Sequence, residues 1–287
     1  MTDPLLRIDD LVVEFPDPNH QGKRLRAVDG VSLSLGRGDI LGLVGESGSG
    51  KTTLAKAALR LYRPQSGRIE LAGTNVTYLN ETALRPIRHH AQMVFQDPFS
   101  SFNPRHTIGR AIMLPLMQHK ICTRQTLRST IEHVLSDVGL PENFADRYPH
   151  QLSGGQLQRA AIGRALSLSP ALVVADEAVS KLDVSVRAQI LNLLKRLHQE
   201  RGLSLLFITH DLHVARFLCH RIGVMRAGRL LEIGPTQELF AHPTHDYTRT
   251  LLGTITEAAP AHPQAPQDPR ATRQAPSAPA AVTHPAS

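Results

Sequence analysis

Residues Gly45 to Thr52 read GESGSGKT, a match to G-x-x-x-x-G-K-[ST] that falls between a short apolar run and a helix-like stretch. At average residue frequencies such a match arises by chance in roughly one chain in a hundred of this length. Gly45, Gly48 and Gly50 let the backbone curl until successive N–H groups and the start of the next helix face an anion. Lys51 would reach the β- and γ-phosphates of a nucleoside triphosphate, and the Thr52 hydroxyl would ligate Mg2+. Glu46, Ser47, Ser49 and Thr53 complete the set of residues expected to line the nucleotide. A second element, LSGGQ at Leu152–Gln156, precedes LQRAAIGRAL. There Ser153, Gly154, Gly155 and Gln156 can present a hydroxyl and bare N–H groups at a helix start, another anion site. It lies about a hundred residues from the first and has no lysine or metal ligand, so it reads as an element that completes another subunit's nucleotide site. The third element is ALVVADE, Ala171–Glu177, an apolar run that delivers two acids at its C-terminal end. Asp176 would hold Mg2+ and Glu177 would act as general base on the attacking water. Alone, such a pair could equally be turn acids in solvent; its weight comes from following the other two motifs.

These groups need a scaffold, and the hydropathy pattern supplies one. Ile40–Val44 is a continuous apolar run, as expected of a strand buried on both faces, and Ala171–Ala175 and Ser204–Thr209 are two further buried-strand candidates. A helical pattern follows each, such as Lys51–Leu61 and Val186–Gln199, and strand, turn and helix in alternation predict a parallel sheet with helices on its faces. Leu5–Phe15 and Leu25–Leu35 read as earlier strands, the second with Val31, Leu33 and Leu35 alternating against serines. Residues 98–165 break the rhythm: Thr126–Val138 and Gln156–Ser167 read as helices with no buried strand between them, so this stretch is expected to be a helical insertion.

Composition narrows the function classes. The chain has 287 residues, 41% hydrophobic and 20% charged, and its apolar runs fall short of the ~20 residues that cross a bilayer. No secretory signal is expected from MTDPLLRIDD. Two cysteines, Cys122 and Cys219, form no ligand spacing and are read as small apolar residues. His89 with His90, and His242 with His245, are read as surface residues and not as metal ligands. The net charge of +7 is spread over many positions and is read as a solvated or membrane-proximal face, with no nucleic acid expected. From Glu257 to Ser287 a Pro/Ala tract with no apolar face and no net charge is expected to be a disordered tail.

With these motifs in this order, residues 5 to about 252 resemble the ATP-binding subunit of an ABC transporter. The resemblance implies an α/β fold, a P-loop NTPase ABC ATPase cassette with an antiparallel β subdomain and a helical insertion, within a nucleotide-binding domain over residues 1–256. It implies ATP and Mg2+ as cofactors. It assigns Gln96 in QMVFQDP to link Mg2+ and water to the transporter interface, and His210 in FITHD to sense the γ-phosphate. Asp183 in SKLD would contact the dimer partner, and Phe15 would stack on adenine. The implied catalytic set is Glu177, His210, Lys51 and Gln96, and the metal set is Thr52, Gln96 and Asp176.

Finer stretches (GLVGESGSGKTT, QMVFQDPFSSFNPR, YPHQLSGGQLQR, DVSVRAQILNLL and HPTHDYTRTLL) are similar to the dipeptide, oligopeptide and nickel importer branch, specifically its second ATP-binding subunit. That branch implies a peptide cargo, with nickel or a nickel chelate as the alternative. Its partners are two transmembrane permease subunits, a second ATP-binding subunit (a different chain, or a copy of this one) and a periplasmic or extracellular binding protein. The place of work is the cytoplasmic face of the cell membrane. Two positions depart from the DEPVSALD pattern: Ala178 replaces the proline and Lys181 the alanine. The segment Asp97–Arg105 is expected to pass movement from the metal site to the membrane subunits. The alternatives are a soluble ABC ATPase of translation or DNA repair, a non-hydrolysing, regulatory half of an asymmetric pair, and, within transport, an exporter subunit; intact Lys51, Glu177 and His210 speak against the second.

Overall fold

The computed structural model of the chain describes residues 3–17, 20 and 22–258. The chain opens with strands β1 (Leu6–Pro16), β2 (Arg24–Leu35) and β3 (Ile40–Val44), followed by helix α1 (Lys51–Ala58). Then come β4 (Ser66–Leu71), β5 (Thr74–Asn75), α2 (Glu81–Leu84) and β6 (Ala91–Val94). Four helices follow without a strand: α3 (Pro98–Ser101), α4 (Ile108–Gln118), α5 (Leu127–Asp137) and α6 (Gly154–Leu166). The remainder is β7 (Leu172–Asp176), α7 (Val184–Arg201), β8 (Ser204–Ile208), α8 (Leu212–Leu218), β9 (Arg221–Arg226), β10 (Arg229–Pro235), α9 (Thr236–Ala241) and α10 (Asp246–Ala258).

Two sheets result. One has the order β2-β1-β4-β5 and is antiparallel throughout; the other has the order β10-β9-β3-β8-β7-β6. In the second sheet β9, β3, β8, β7 and β6 run parallel, and β10 closes the edge antiparallel to β9. The three predicted buried strands, β3, β7 and β8, are its centre, and all fifteen of their residues are buried.

Their side chains alternate between two cores. Leu41, Leu43, Leu172, Val174, Leu206 and Ile208 pack with β1, β2, β4 and α1. Ile40, Val44, Val173, Ala175, Leu205 and Phe207 pack with the four-helix segment, α7 and α8. A strand that serves a core on each face cannot show the polar alternation of a half-exposed one, which is why these segments read as unbroken apolar runs. Cys219 lies in the second core against Gly42, where an added Cβ would meet its Sγ at 2.8 Å; burial pushes the thiol pKa far up.

Several boundaries differ from the sequence reading. Helix α1 stops at Ala58, with Leu59 as its C-cap, three residues short of Leu61. Helix α10 runs to Ala258, so Glu257 and Ala258, which composition placed in the tail, belong to a helix; the rest of the proposed tail lies outside the described residues. No described helix is long and apolar enough to cross a membrane.

Candidate functional site

Strand β3 ends at Val44 and the chain turns sharply into α1. Gly45 has φ 148°, and a Cβ there would sit 2.1 Å from the Met225 carbonyl oxygen. Gly50, the N-cap of α1, has φ 99°, and a Cβ there would lie 2.2 Å from the Ala27 carbonyl oxygen. Both positions are therefore closed to any side chain. The loop is held from outside by Gly228 in the β9–β10 turn: its N–H donates to the Ser49 carbonyl (3.0 Å), while its own carbonyl accepts from the Asp29 N–H of β2 (2.9 Å).

Inside the loop Lys51 is only 4% exposed, and its ammonium donates to the carbonyls of Gly45 (2.8 Å) and Glu46 (2.7 Å) and to Ser49 Oγ (3.2 Å). Burial pushes its pKa down, against the pull of Glu177, Asp176 and Glu46. Thr52 Oγ1 donates to Asp176 Oδ1 at 2.8 Å, across from the end of β7. Asp176 is buried, and burial raises its pKa even though the Thr52 hydroxyl works in the opposite direction.

Glu177 follows in a left-handed turn, φ 47°, a conformation that costs a non-glycine residue roughly 1–2 kcal/mol. Its N–H donates to the Ile208 carbonyl (3.0 Å), which fixes it beside β8. Gln96 Nε2 donates to Glu177 Oε2 at 2.7 Å, and His210 Nδ1 lies 3.5 Å from Glu177 Oε1. Sequence positions 51, 96, 176, 177 and 210 thus converge where β3, β6, β7 and β8 end, the edge at which open parallel sheets bind ligands. A buried ammonium and a buried carboxyl, each shifted toward its neutral form, mark a place where charge is costly without a counter-charge; a Mg2+–triphosphate brings both signs. The donor set, a hydroxyl and a carboxylate, is the hard-oxygen chemistry that Mg2+ takes, so these residues fit the group.

The remaining predicted residues sit apart from this cluster or in different surroundings. Ser153 is the N-cap of α6 and forms a capping box: Gln156 N–H donates to Ser153 Oγ (3.3 Å) and Ser153 N–H donates to Gln156 Oε1 (3.0 Å). Gly155 is required by packing, since a Cβ would meet Val186 Cγ1 at 2.4 Å. Asp183 is the exposed N-cap of α7, with no side-chain cap bond. Phe15 stands edge-on to Tyr62, with centroids 5.2 Å apart and planes at 79°, and it packs against the first core while part of it stays accessible. Glu46, Ser47 and Gly48 are exposed on the loop crest, and Thr53 is half-buried in α1.

Three participants escaped the sequence reading. Ser180 Oγ donates to the Glu177 carbonyl (3.0 Å) and also lies 3.5 Å from Gln96 Nε2, bracing the turn. Arg187 Nη1 pairs with Asp211 at 3.2 Å and Nη2 reaches the Leu182 carbonyl at 3.4 Å, tying the segment before α7 to the one after His210. Tyr247 contacts Glu46 from α10. All three lie inside quoted stretches (Ser180 in SKLD, Arg187 in DVSVRAQILNLL, Tyr247 in HPTHDYTRTLL), but none of those stretches assigned them a role.

With this geometry in hand, comparison with known proteins is direct. A family model described as ABC transporter matches residues 28–180. The chain is 45% identical over 266 residues to the glutathione import ATP-binding protein GsiA of Pectobacterium atrosepticum, covering 91% of this chain and 43% of that protein. It is also 45% identical over 256 residues to the oligopeptide transport ATP-binding protein AppF of Bacillus subtilis, covering 88% of this chain and 78% of AppF. The chain therefore spans less than half of GsiA and most of AppF. Among solved structures, the dimeric ATP-binding cassette MJ0796 in a post-hydrolysis state with ADP and Pi matches with TM-score 0.73 at 29% identity, covering 80% of this chain and 98% of that one. The chain belongs to the ABC transporter family, and its fold is that of an ATP-binding cassette.

Proposed function

We propose that this chain is the ATP-binding and ATP-hydrolysing subunit that energises an importer of di- or oligopeptides, acting as one half of a dimer that closes around nucleotide. The observation that carries the reading is the contrast between two anion-facing elements. The Gly45–Thr52 loop is joined to Asp176, Glu177, Gln96 and His210 through short contacts. The Ser153–Gln156 element bonds to itself, with no lysine or carboxylate among its side-chain partners.

In this mechanism the loop N–H groups and the Lys51 ammonium bind the β- and γ-phosphates. Thr52, Asp176 and Gln96 are the residues that would hold Mg2+. Held by these residues, Mg2+ would supply charge neutralisation for phosphoryl transfer. Glu177 accepts a proton from the water whose oxygen attacks the γ-phosphorus, while Gln96 and His210 hold its carboxylate from either side. The bond from the γ-phosphorus to the bridging oxygen breaks, giving ADP and phosphate. Ser153 and the N–H groups of Gly154 and Gly155 would meet the nucleotide held by the partner subunit, so nucleotide contacts are complete only in the closed dimer and binding drives closure. Asp183, exposed at the start of α7, would lie at that seam, and Phe15 would carry the adenine.

Movement would leave through the segment that begins at Gln96. Beside it runs a groove of about 430 Å³ whose lining includes Leu61, Phe95, Leu114 and Pro115, suited to a helix of a membrane permease subunit. Two such subunits, a second ATP-binding subunit and an extracytoplasmic binding protein complete the assembly, with this chain, a nucleotide-binding domain over residues 1–256, on the cytoplasmic membrane face. The relatives named above have oligopeptides or glutathione in their names, which favours peptide over nickel. The test is ATP hydrolysis in proteoliposomes carrying the full transporter: stimulation by binding protein loaded with short peptides is expected. Stimulation by Ni2+-loaded protein alone would overturn the cargo, and absence of hydrolysis would overturn the enzymatic assignment.

A further inference from the structure

The late segment HPTHDYT, which the nucleotide chemistry leaves without a role, folds back onto the phosphate loop. Glu232 on β10 gathers it: the Thr244 N–H (2.8 Å), the Thr244 hydroxyl (2.9 Å) and the His245 N–H (3.2 Å) all donate to its carboxylate. Burial works to raise the Glu232 pKa, yet these donors hold it below the ordinary value, as expected of an ionised anchor. His245 Nδ1 accepts the Tyr247 N–H at 3.0 Å and sets the first residues of α10. Arg249 closes the segment from the other side, donating to the Pro243 (3.1 Å) and Thr244 (3.1 Å) carbonyls.

The product of this arrangement is the placement of one side chain. Tyr247 is 6% exposed, and the Arg226 guanidinium lies 4.6 Å above its ring. Its hydroxyl oxygen accepts from the Glu46 N–H at 3.4 Å. Glu46 is the first residue after Gly45, and its carbonyl is one of the three acceptors of the Lys51 ammonium. The peptide planes on either side of Glu46 are thereby fixed, one by a tyrosine from α10 and the other by the lysine that meets the phosphates.

We propose that Tyr247 is a positioning residue for nucleotide binding: it holds the crest of the phosphate loop in its binding shape through Glu46, and the Thr244–Tyr247 segment exists to place it. Without the hydroxyl, Glu46 gains freedom that must be lost again when nucleotide binds, so affinity falls while the residues that perform hydrolysis are untouched. Burial keeps the phenol protonated, so the contact persists across neutral pH.

The inference rests on Gly45–Thr52 being the nucleotide site, which ATP binding by the wild-type full chain tests separately. Tyr247→Phe removes the hydroxyl and keeps the ring. For a single hydrogen-bonding group, a loss of about three- to tenfold in ATP affinity is expected by calorimetry on the full chain. The thermal midpoint should fall by no more than about 2–4 °C, the cost of one hydrogen bond in a chain of this size, and amide hydrogen exchange over residues 45–49 should be faster. In the assembled transporter KM for ATP should rise with kcat retained. Glu232→Gln, which leaves the tyrosine intact and weakens its anchor, should shift the same two readouts in the same direction. Wild-type affinity together with wild-type exchange in Tyr247→Phe would overturn the proposal, as would a loss of affinity without faster exchange in the loop.

Discussion

The two helices proposed to meet phosphate at their N-termini, α1 and α6, are built in opposite ways. Helix α1 starts at a glycine in a left-handed conformation with no side-chain cap, so its first N–H groups are left for a ligand. Helix α6 starts at Ser153 with a reciprocal capping box, so one of its donors is already satisfied by its own serine. The first terminus takes its shape from neighbouring backbone and has acids from β7 around it; the second is self-sufficient and carries no catalytic group. On the proposed function, the difference tells where the ligand of each comes from: α1 would be the complete half of a site, and α6 a finished surface that meets the other half on another subunit.

The sharpest test removes the chemistry from the complete half. Glu177→Gln should lower ATP hydrolysis about 10²- to 10⁴-fold, the usual contribution of a general base, and leave ATP binding intact with a closed dimer detectable by size-exclusion chromatography. Normal turnover in that variant would remove Glu177 from its role.

Next in size is affinity in the isolated chain. Lys51→Ala deletes a charged donor and should weaken ATP binding about 10- to 100-fold by calorimetry. Ser153→Ala should leave binding to the isolated chain unchanged, yet slow hydrolysis once the subunits are paired. Equal losses in the two variants would erase the contrast.

The backbone gives a third comparison. Gly50→Ala would drive a Cβ to 2.2 Å from the Ala27 carbonyl oxygen, whereas at Gly154 the nearest atom to a new Cβ is Leu182 Cδ2 at 3.9 Å. Denaturant unfolding should show Gly50→Ala less stable by about 1–3 kcal/mol. Gly154→Ala, inside a helix turn, should be neutral or slightly stabilising.

The smallest effect concerns pH. Because burial raises the Asp176 pKa, the native state retains a proton that the unfolded chain releases. Ligand-free stability therefore declines as pH rises from the ordinary aspartate value toward the raised one, and the cost is fully present at neutral pH. Asp176→Asn should raise the thermal midpoint of the ligand-free chain at pH 7, and the gain should vanish below about pH 3.9. A gain that was independent of pH would point to packing instead.

The central strands and the loops that carry chemistry were legible because they are dense in local signal. Ile40–Val44 was predicted with the bounds observed, and the residues at 51, 176, 177 and 210 follow strands that burial on both faces makes conspicuous. What stayed hidden depends on contacts distant in sequence. The β9–β10 hairpin turns through Ala227 and Gly228, both at positive φ, where no Asn-Gly or Asp-Gly pair advertises the turn. Strand β6, only four residues with Gln92 inside it, is a strand because β7 pairs with it. Helix α4 contains Pro115, a residue that argues against a helix when read locally. Arg187 and Tyr247 act through hydrogen bonds to other segments, and side chains of that kind have no spacing to betray them.

The Gly228 junction carries a practical consequence. The phosphate loop is moulded by main-chain atoms of residues 27, 225 and 228, so its shape depends on how many residues each hairpin contains more than on which side chains they bear. A tag or a single inserted residue in the β9–β10 turn would disable nucleotide binding while every motif residue stayed in place. A comparison of related chains by motif alone would pass such a sequence as active; hairpin length is the feature that would expose it.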